Sequence, residues 1–149
     1  MKLSVQVPIQ ASKEDIWKVI TDIDRAPDRI SGIEKVNVLE RPEKGLVGLK
    51  WEESRKMFGR EARETMWITD AKENAFYETR AENQGAVYTS GMHIVEEGGE
   101  TWLKMVFASE PTSFLARMLA AVMTPFFKGA TQKMMRQDLE DIKKVVEGK

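Results

Sequence analysis

Cysteine is absent from the 149-residue chain, and histidine occurs once, as His93. The first absence excludes disulfide frameworks, thiolate nucleophiles and cysteine metal sites; the second excludes a histidine-rich metal cage. No sign of charge dominates either. With 23 basic and 24 acidic side chains the net charge is −1, which leaves no electrostatic footprint for nucleic acid. No apolar run approaches the roughly eighteen residues of a membrane span, so stable membrane insertion is not expected. The start, "MKLSVQVPIQ", alternates instead of forming the apolar core of a signal peptide, and the expected location is the cytoplasm. The one glycine pair, in "EEGGE", is flanked by acids and precedes a strand, so it is no phosphate loop. No nucleophile motif appears. These gaps argue against the common hydrolase and NTPase classes, and nothing calls for a cofactor or a metal.

What remains is an ordinary globular composition, 42% hydrophobic and 32% charged, without repeats or linkers. A single domain over residues 1–149 is expected. Leu3, Val5, Val7 and Ile9 alternate with polar residues as a half-buried strand, and Pro8 belongs at a sheet edge or strand end. In "ASKEDIWKVITDIDRAPDRI", Ser12 and Asp15 form a loose capping box, and Ile16, Val19, Ile20 and Ile23 recur at helical spacing. Pro27 is expected to stop that helix, with a second short turn around residues 28–30. From Ile33 to Ser109 the period is two, broken at Gly- and Asn-rich turns: six strands of an antiparallel meander. After Pro111 the period becomes 3.6. Phe114, Leu115, Met118, Leu119, Val122, Met123, Phe126 and Phe127 make a broad apolar face, continued more sparsely to Val146. Thr112 or Ser113 can cap this helix, and Thr124-Pro125 is expected to kink or break it.

The order predicts an α+β fold. The first strand joins the meander as a seventh, two short helices lie between strands 1 and 2, and the long C-terminal helix covers the apolar face of a curved antiparallel sheet. A straight helix across a bent sheet leaves a gap, which is a natural ligand cavity.

Three stretches carry a resemblance: "VPIQASKEDIWKVITDIDRAPDRISGIEKVNVLE", "GLKWEESRKMFGREARETMWI" and "DLEDIKKVVE". Over essentially its whole length the chain resembles the helix-grip (SRPBCC, START-like) superfamily. That superfamily includes START lipid-transfer domains, the birch-pollen allergen group and bacterial polyketide cyclase/dehydrase-type proteins. The resemblance implies a hydrophobic-ligand pocket between sheet and helix; it supplies no catalytic residue to carry over.

One hairpin, residues 51–68, places charge where apolar residues point. With Phe58-Gly59 as a two-residue turn, Glu53 faces Glu64, Trp51 faces Met66, and Met57 and Ile68 share their side. Arg55 then sits beside Glu53 and diagonal to Glu64. A three-residue loop would pair the charges more neatly but split Trp51 from Met66. The trio reads either as a structural network bridged by arginine or as an anchor for a ligand headgroup, with proton transfer a further option. His93 is expected on the solvent side. Tyr88 and Ser90 share the inward parity of Met92 and could serve a ligand or the backbone. The facing of Tyr77 is open.

The expected cavity lining is Trp51, Met66, Tyr88, Ser90, Met92, Leu103, Met105, Phe107, Leu119, Val122, Met123 and Phe127, with Glu53, Arg55 and Glu64 at the polar end. Nine methionines suit an adaptable pocket. The expected function is binding or transport of a hydrophobic small molecule such as a lipid, quinone, isoprenoid or polyketide. The alternatives are a cyclase/dehydratase-type enzyme using the same cavity, and an interaction domain receiving a partner helix. A titratable inward carboxylate without a partner would favour the enzyme, and a fully paired trio would favour binding. Nothing in the sequence fixes the oligomeric state.

Overall fold

The computed structural model describes residues 1–57, 59–83 and 85–148, with Met57 described by its backbone alone. Strand β1 (Lys2–Pro8) leads into helix α1 (Lys13–Ile20), a 3-10 turn (Ile23–Arg25) and helix α2 (Ala26–Arg29). Strands β2 (Ile33–Glu40), β3 (Lys50–Met57), β4 (Arg60–Lys72), β5 (Phe76–Asn83), β6 (Ala86–Glu97) and β7 (Glu100–Pro111) follow, and helix α3 (Phe114–Glu147) ends the chain. The seven strands form one sheet in the order β1-β7-β6-β5-β4-β3-β2, every pairing antiparallel. The meander therefore pairs neighbours throughout, and β1 closes on β7. Pro8 ends β1 at the sheet edge, where its missing N–H costs no ladder bond.

Bulges bend the sheet. Register shifts fall between Ile33 and Lys35 and between Val38 and Glu40 on β2, and between Ile68 and Asp70 on β4. Each extra residue sharpens the local twist and bend. On the concave side Leu3, Val5, Val7, Trp51, Ile68 and Leu103 meet Met135, Leu139 and Ile142 of α3, with Ile16 and Ile20 of α1 closing the same core.

One proline expectation fails, and at the other the helix is not broken. Helix α1 ends at Ile20, where Thr21 caps it and its hydroxyl donates to the Trp17 carbonyl; Pro27 instead begins α2. A proline in the first helical turn displaces no internal bond and arrives with its φ already set. Pro125 likewise neither breaks nor ends α3, which runs 34 residues through it. The proline removes one donor, for the carbonyl of Ala121, while the Thr124 hydroxyl donates back to Ala120 within the same turn. The caps behave as expected: Ser12 accepts from the Asp15 amide and Ser113 from the Ala116 amide, each at 3.1 Å.

Candidate functional site

The two-residue hairpin register holds: Trp51 opposes Met66, Glu53 opposes Glu64, Arg55 opposes Ala62 and Met57 opposes Arg60. Gly59 takes φ +77°, a turn conformation open to glycine. The turn residue Phe58 and the inward side chain expected of Met57 lie outside the described residues. This register turns Trp51, Glu53, Arg55, Glu64 and Met66 to the concave face, beneath α3. Between them lies a cavity of about 690 Å³, bounded by the sheet, α3 and the segment from α1 to α2. Ile20, Ile23 and Ile30 form its end wall, and Met123, Phe127 and Met134 its helical roof.

Charge in this cavity is arranged differently from the sequence expectation. Arg55 donates Nε–H to Glu53 at 2.8 Å and makes a two-pronged contact with Asp138 of α3, at 3.2 and 2.7 Å. Glu64 is not its second partner. The guanidinium thus bolts sheet to helix, and Asp138 is almost sealed, with 3% of its side chain exposed. Burial opposes the charge on Arg55, but the Asp138 and Glu53 carboxylates outweigh it and hold the guanidinium protonated. Burial likewise pushes the Asp138 carboxyl above the ordinary aspartate value, and the Arg55 bonds pull against that rise. A bidentate arginine at these distances keeps it ionised at neutral pH. Gly32 makes room for the contact: a Cβ there would lie 2.9 Å from an Arg55 nitrogen and 3.5 Å from Asp138 Oδ1.

Glu64 is left over. Among the described residues no group hydrogen-bonds or ion-pairs with its half-buried carboxyl, which lines the cavity. Burial first, and the Glu53 charge second, push it above the usual glutamate range, while Arg55 pulls it down. Tyr88, on the same wall, stacks on Phe107 with ring centres 6.0 Å apart. Burial and the Glu64 charge raise its phenol. Deeper in, Tyr77 is 8% exposed and packs edge-on against Trp17. Among the described residues nothing hydrogen-bonds its hydroxyl, yet no fully enclosed polar side-chain atom lacks a partner. Its oxygen must therefore open onto the cavity that the residue lines. Burial, then the carboxylates of Glu53 and Asp138, push that phenol strongly up, so it stays a donor.

Of the residues expected to line the cavity, Trp51, Met66, Tyr88, Ser90, Met92, Met105, Phe107, Leu119, Met123 and Phe127 do so, as do Glu53, Arg55 and Glu64. Leu103 does not: it is wholly buried in the core between β1, β7 and α3. Nor does Val122, which is 76% exposed on the outer side of α3. Ser90 hydrogen-bonds Thr79 on the neighbouring strand. His93 faces away from the cavity and stacks on Phe76 at 5.5 Å. Two further residues line the cavity: Asp138, which the sequence reading did not include, and Tyr77, whose facing it left open. The first had a signal: three residues after Met135 and four before Ile142, it is a lone charge on an apolar stripe. Among the described residues no cluster of three potential metal ligands occurs, and no helix is long and apolar enough to cross a membrane.

The same architecture occurs in solved structures at low identity. TTHA0849 from Thermus thermophilus superposes with a TM-score of 0.80 at 14% identity, covering 98% of this chain and 97% of that one. A START superfamily protein from Mycobacterium smegmatis gives 0.71 at 20% identity, covering 99% and 94%. The ZhuI aromatase/cyclase from Streptomyces sp. R1128 gives 0.72 at 14%, covering 99% and 93%. At these identities the likeness establishes the helix-grip fold. No curated protein matches the chain significantly. The model of one sequence family does, over residues 9–137, which include Glu53, Arg55, Glu64 and most of the cavity lining, while Asp138 lies just beyond the match. The chain belongs to the polyketide cyclase/dehydrase and lipid transport family.

Proposed function

We propose that this protein binds a hydrophobic small molecule in the cavity between sheet and α3, as a carrier or sensor of that molecule. Family membership indicates hydrophobic ligand binding or polyketide cyclase-type chemistry. The trio is split, with Glu64 meeting the condition set for the enzyme and the paired Arg55 the one set for binding. The second weighs more heavily because Arg55 is the deeper group. The strongest polar group in the cavity, Arg55, is fully engaged by Glu53 and Asp138 and serves the fold. A cavity of about 690 Å³ that is mostly apolar, with its main cation committed, suits a guest held by burial. Trp51, Met66, Met92, Met105 and Phe107 would supply that burial, and the methionines would adapt to its shape.

The enzyme reading has its own support in Glu64. A half-buried carboxyl without a partner among the described residues, held above the usual glutamate range by burial, is the kind of group that moves protons, and Tyr88 lies within reach of its charge. On that reading Glu64 would act as general acid on a carbonyl-bearing guest folded by the cavity walls.

Native mass spectrometry of the protein purified under mild conditions, followed by extraction, separates the readings. A reproducible hydrophobic adduct released unchanged is the expected result. An empty protein that takes up nothing from a lipid and quinone panel would remove the carrier reading. Recovery of a chemically altered guest that Glu64→Gln leaves unaltered would replace it with the enzyme.

A further inference from the structure

Resting on the binding reading above, we propose that the cavity selects uncharged guests: it accepts an alcohol or ketone and turns away the carboxylate of the same chain.

The most deeply set cation of the cavity is already taken, and the unpartnered charge beside it is negative. Arg55 already makes three hydrogen bonds to two carboxylates. An incoming carboxylate could take the guanidinium only by stranding Asp138, whose side chain is 3% exposed. Stranding a buried charge is among the costliest changes open to a fold. Two other guanidiniums on the wall have carboxylate partners, Arg29 sharing its own with Arg25, and the Met1 ammonium has a neutral one. Arg29 meets Asp22 at 3.6 Å, and the exposed Arg63 meets Glu61 at 2.9 Å. The Met1 ammonium donates to the Ser109 carbonyl at 3.1 Å. Against these stands Glu64, on the wall and without a partner among the described residues. Once ionised it repels an anion and can still accept from a hydroxyl; while protonated it donates to a carbonyl.

Neutral donors, by contrast, are ready. The Tyr77 hydroxyl opens onto the inner cavity and Tyr88 lines the outer part. Ala81 pairs with Tyr88, so the two tyrosines stand four strand positions apart, about 13 Å at the usual rise. Tyr77 would donate to a guest oxygen at the inner end. Tyr88 or Glu64 would meet a second oxygen at the outer end, with an apolar span lying over Met66, Met92 and Met105. The Thr79–Ser90 pair sits between and satisfies itself.

The test is calorimetric titration of the full chain at pH 8 with 1-dodecanol and with dodecanoate. The alcohol should bind about tenfold tighter or more, a difference of about 1.4 kcal/mol. Equal or tighter binding of dodecanoate would overturn the inference and leave the binding reading intact. Failure of both ligands to bind, together with an empty native mass spectrum, would remove the binding reading and the inference with it. Two variants locate the cause. Glu64→Gln removes the unpaired carboxyl, and Asp138→Asn frees one side of the guanidinium; each should narrow the preference for the alcohol. The Glu64 carboxyl makes no hydrogen bond or ion pair among the described residues, so Glu64→Gln keeps the test alive should Asp138→Asn fail to fold. An unchanged preference in Glu64→Gln would show that charge is not the selector.

Discussion

The two halves of α3 invert the usual relation between hydrophobicity and burial. Residues 114–128 are the densest apolar stretch in the chain, yet Phe114 is 78% exposed and Val122 76%. Residues 129–147 are far more polar, yet Thr131, Met135, Asp138, Leu139 and Ile142 are all buried. Burial here follows anchoring. The second half packs on β1, β7 and α1 and is tied down at three points from its middle to its end. Asp138 holds Arg55, Asp141 accepts from the Ser31 amide and hydroxyl at 2.9 and 2.7 Å, and Glu147 accepts from the Gln10 amide at 2.7 Å. The first half instead spans the cavity opening. Its inner residues, Leu119, Met123 and Phe127, look onto the space a guest would fill. In this chain the apolar density of the helix therefore marks the cover of the cavity, and the sparse stripe marks the core.

The largest blow to that arrangement is to cut the clamp. Arg55→Met leaves Asp138 and Glu53 facing each other without a cation, and should cost about 3–5 kcal/mol in denaturant melts. A smaller loss would mean that the second half does not depend on its charged tie. Next, the halves can be compared directly by truncation. Leu139→Ala should destabilise by about 2–5 kcal/mol, because it opens a hole in a wholly buried site. Val122→Ala should stay within about 0.5 kcal/mol. Equal losses would erase the contrast. Pro125→Ala restores a donor to the Ala121 carbonyl, a change worth at most about 3 kcal/mol in a helix interior. Because the first half contributes little to the core, its effect should appear as slower amide exchange over residues 114–128, with a much smaller shift in the global midpoint.

The smallest effect concerns pH. The folded state raises the Glu64 carboxyl above its unfolded value. Between those two values the folded chain holds a proton that the unfolded chain has released, so stability falls as pH rises through the window. The cost is absent below the unfolded value and complete above the folded one. Glu64→Gln should match the wild type at the acid end and gain on it through the window. A flat difference across pH would place Glu64 in contact with water rather than in the cavity wall.

Most of this architecture is legible in the sequence. The period of two from Ile33 onwards, the turn glycines and the change to 3.6 after Pro111 determine the strand order and the long helix. The hairpin register is readable because only one register puts Trp51 and Met66 on the same face. The site was legible only in part. Arg55 and Glu53 are two residues apart and show their partnership locally, whereas Asp138 lies 83 positions away and meets Arg55 only through tertiary packing. Tyr77 had a local signal in the charges at Glu78, Arg80 and Glu82, which alternate with it and point outward. Leu103 and Val122 were misplaced for opposite reasons. Parity gives a strand's face but not whether the helix sits directly on it, and periodicity gives a helix's apolar arc but not which turns the sheet covers.

The most direct test follows amide hydrogen exchange along α3 with and without 1-dodecanol. A guest in the cavity predicts slower exchange over residues 114–128 and unchanged exchange over 129–147. No change in the first half at saturating ligand, or equal slowing of both halves, would contradict a guest held beneath it.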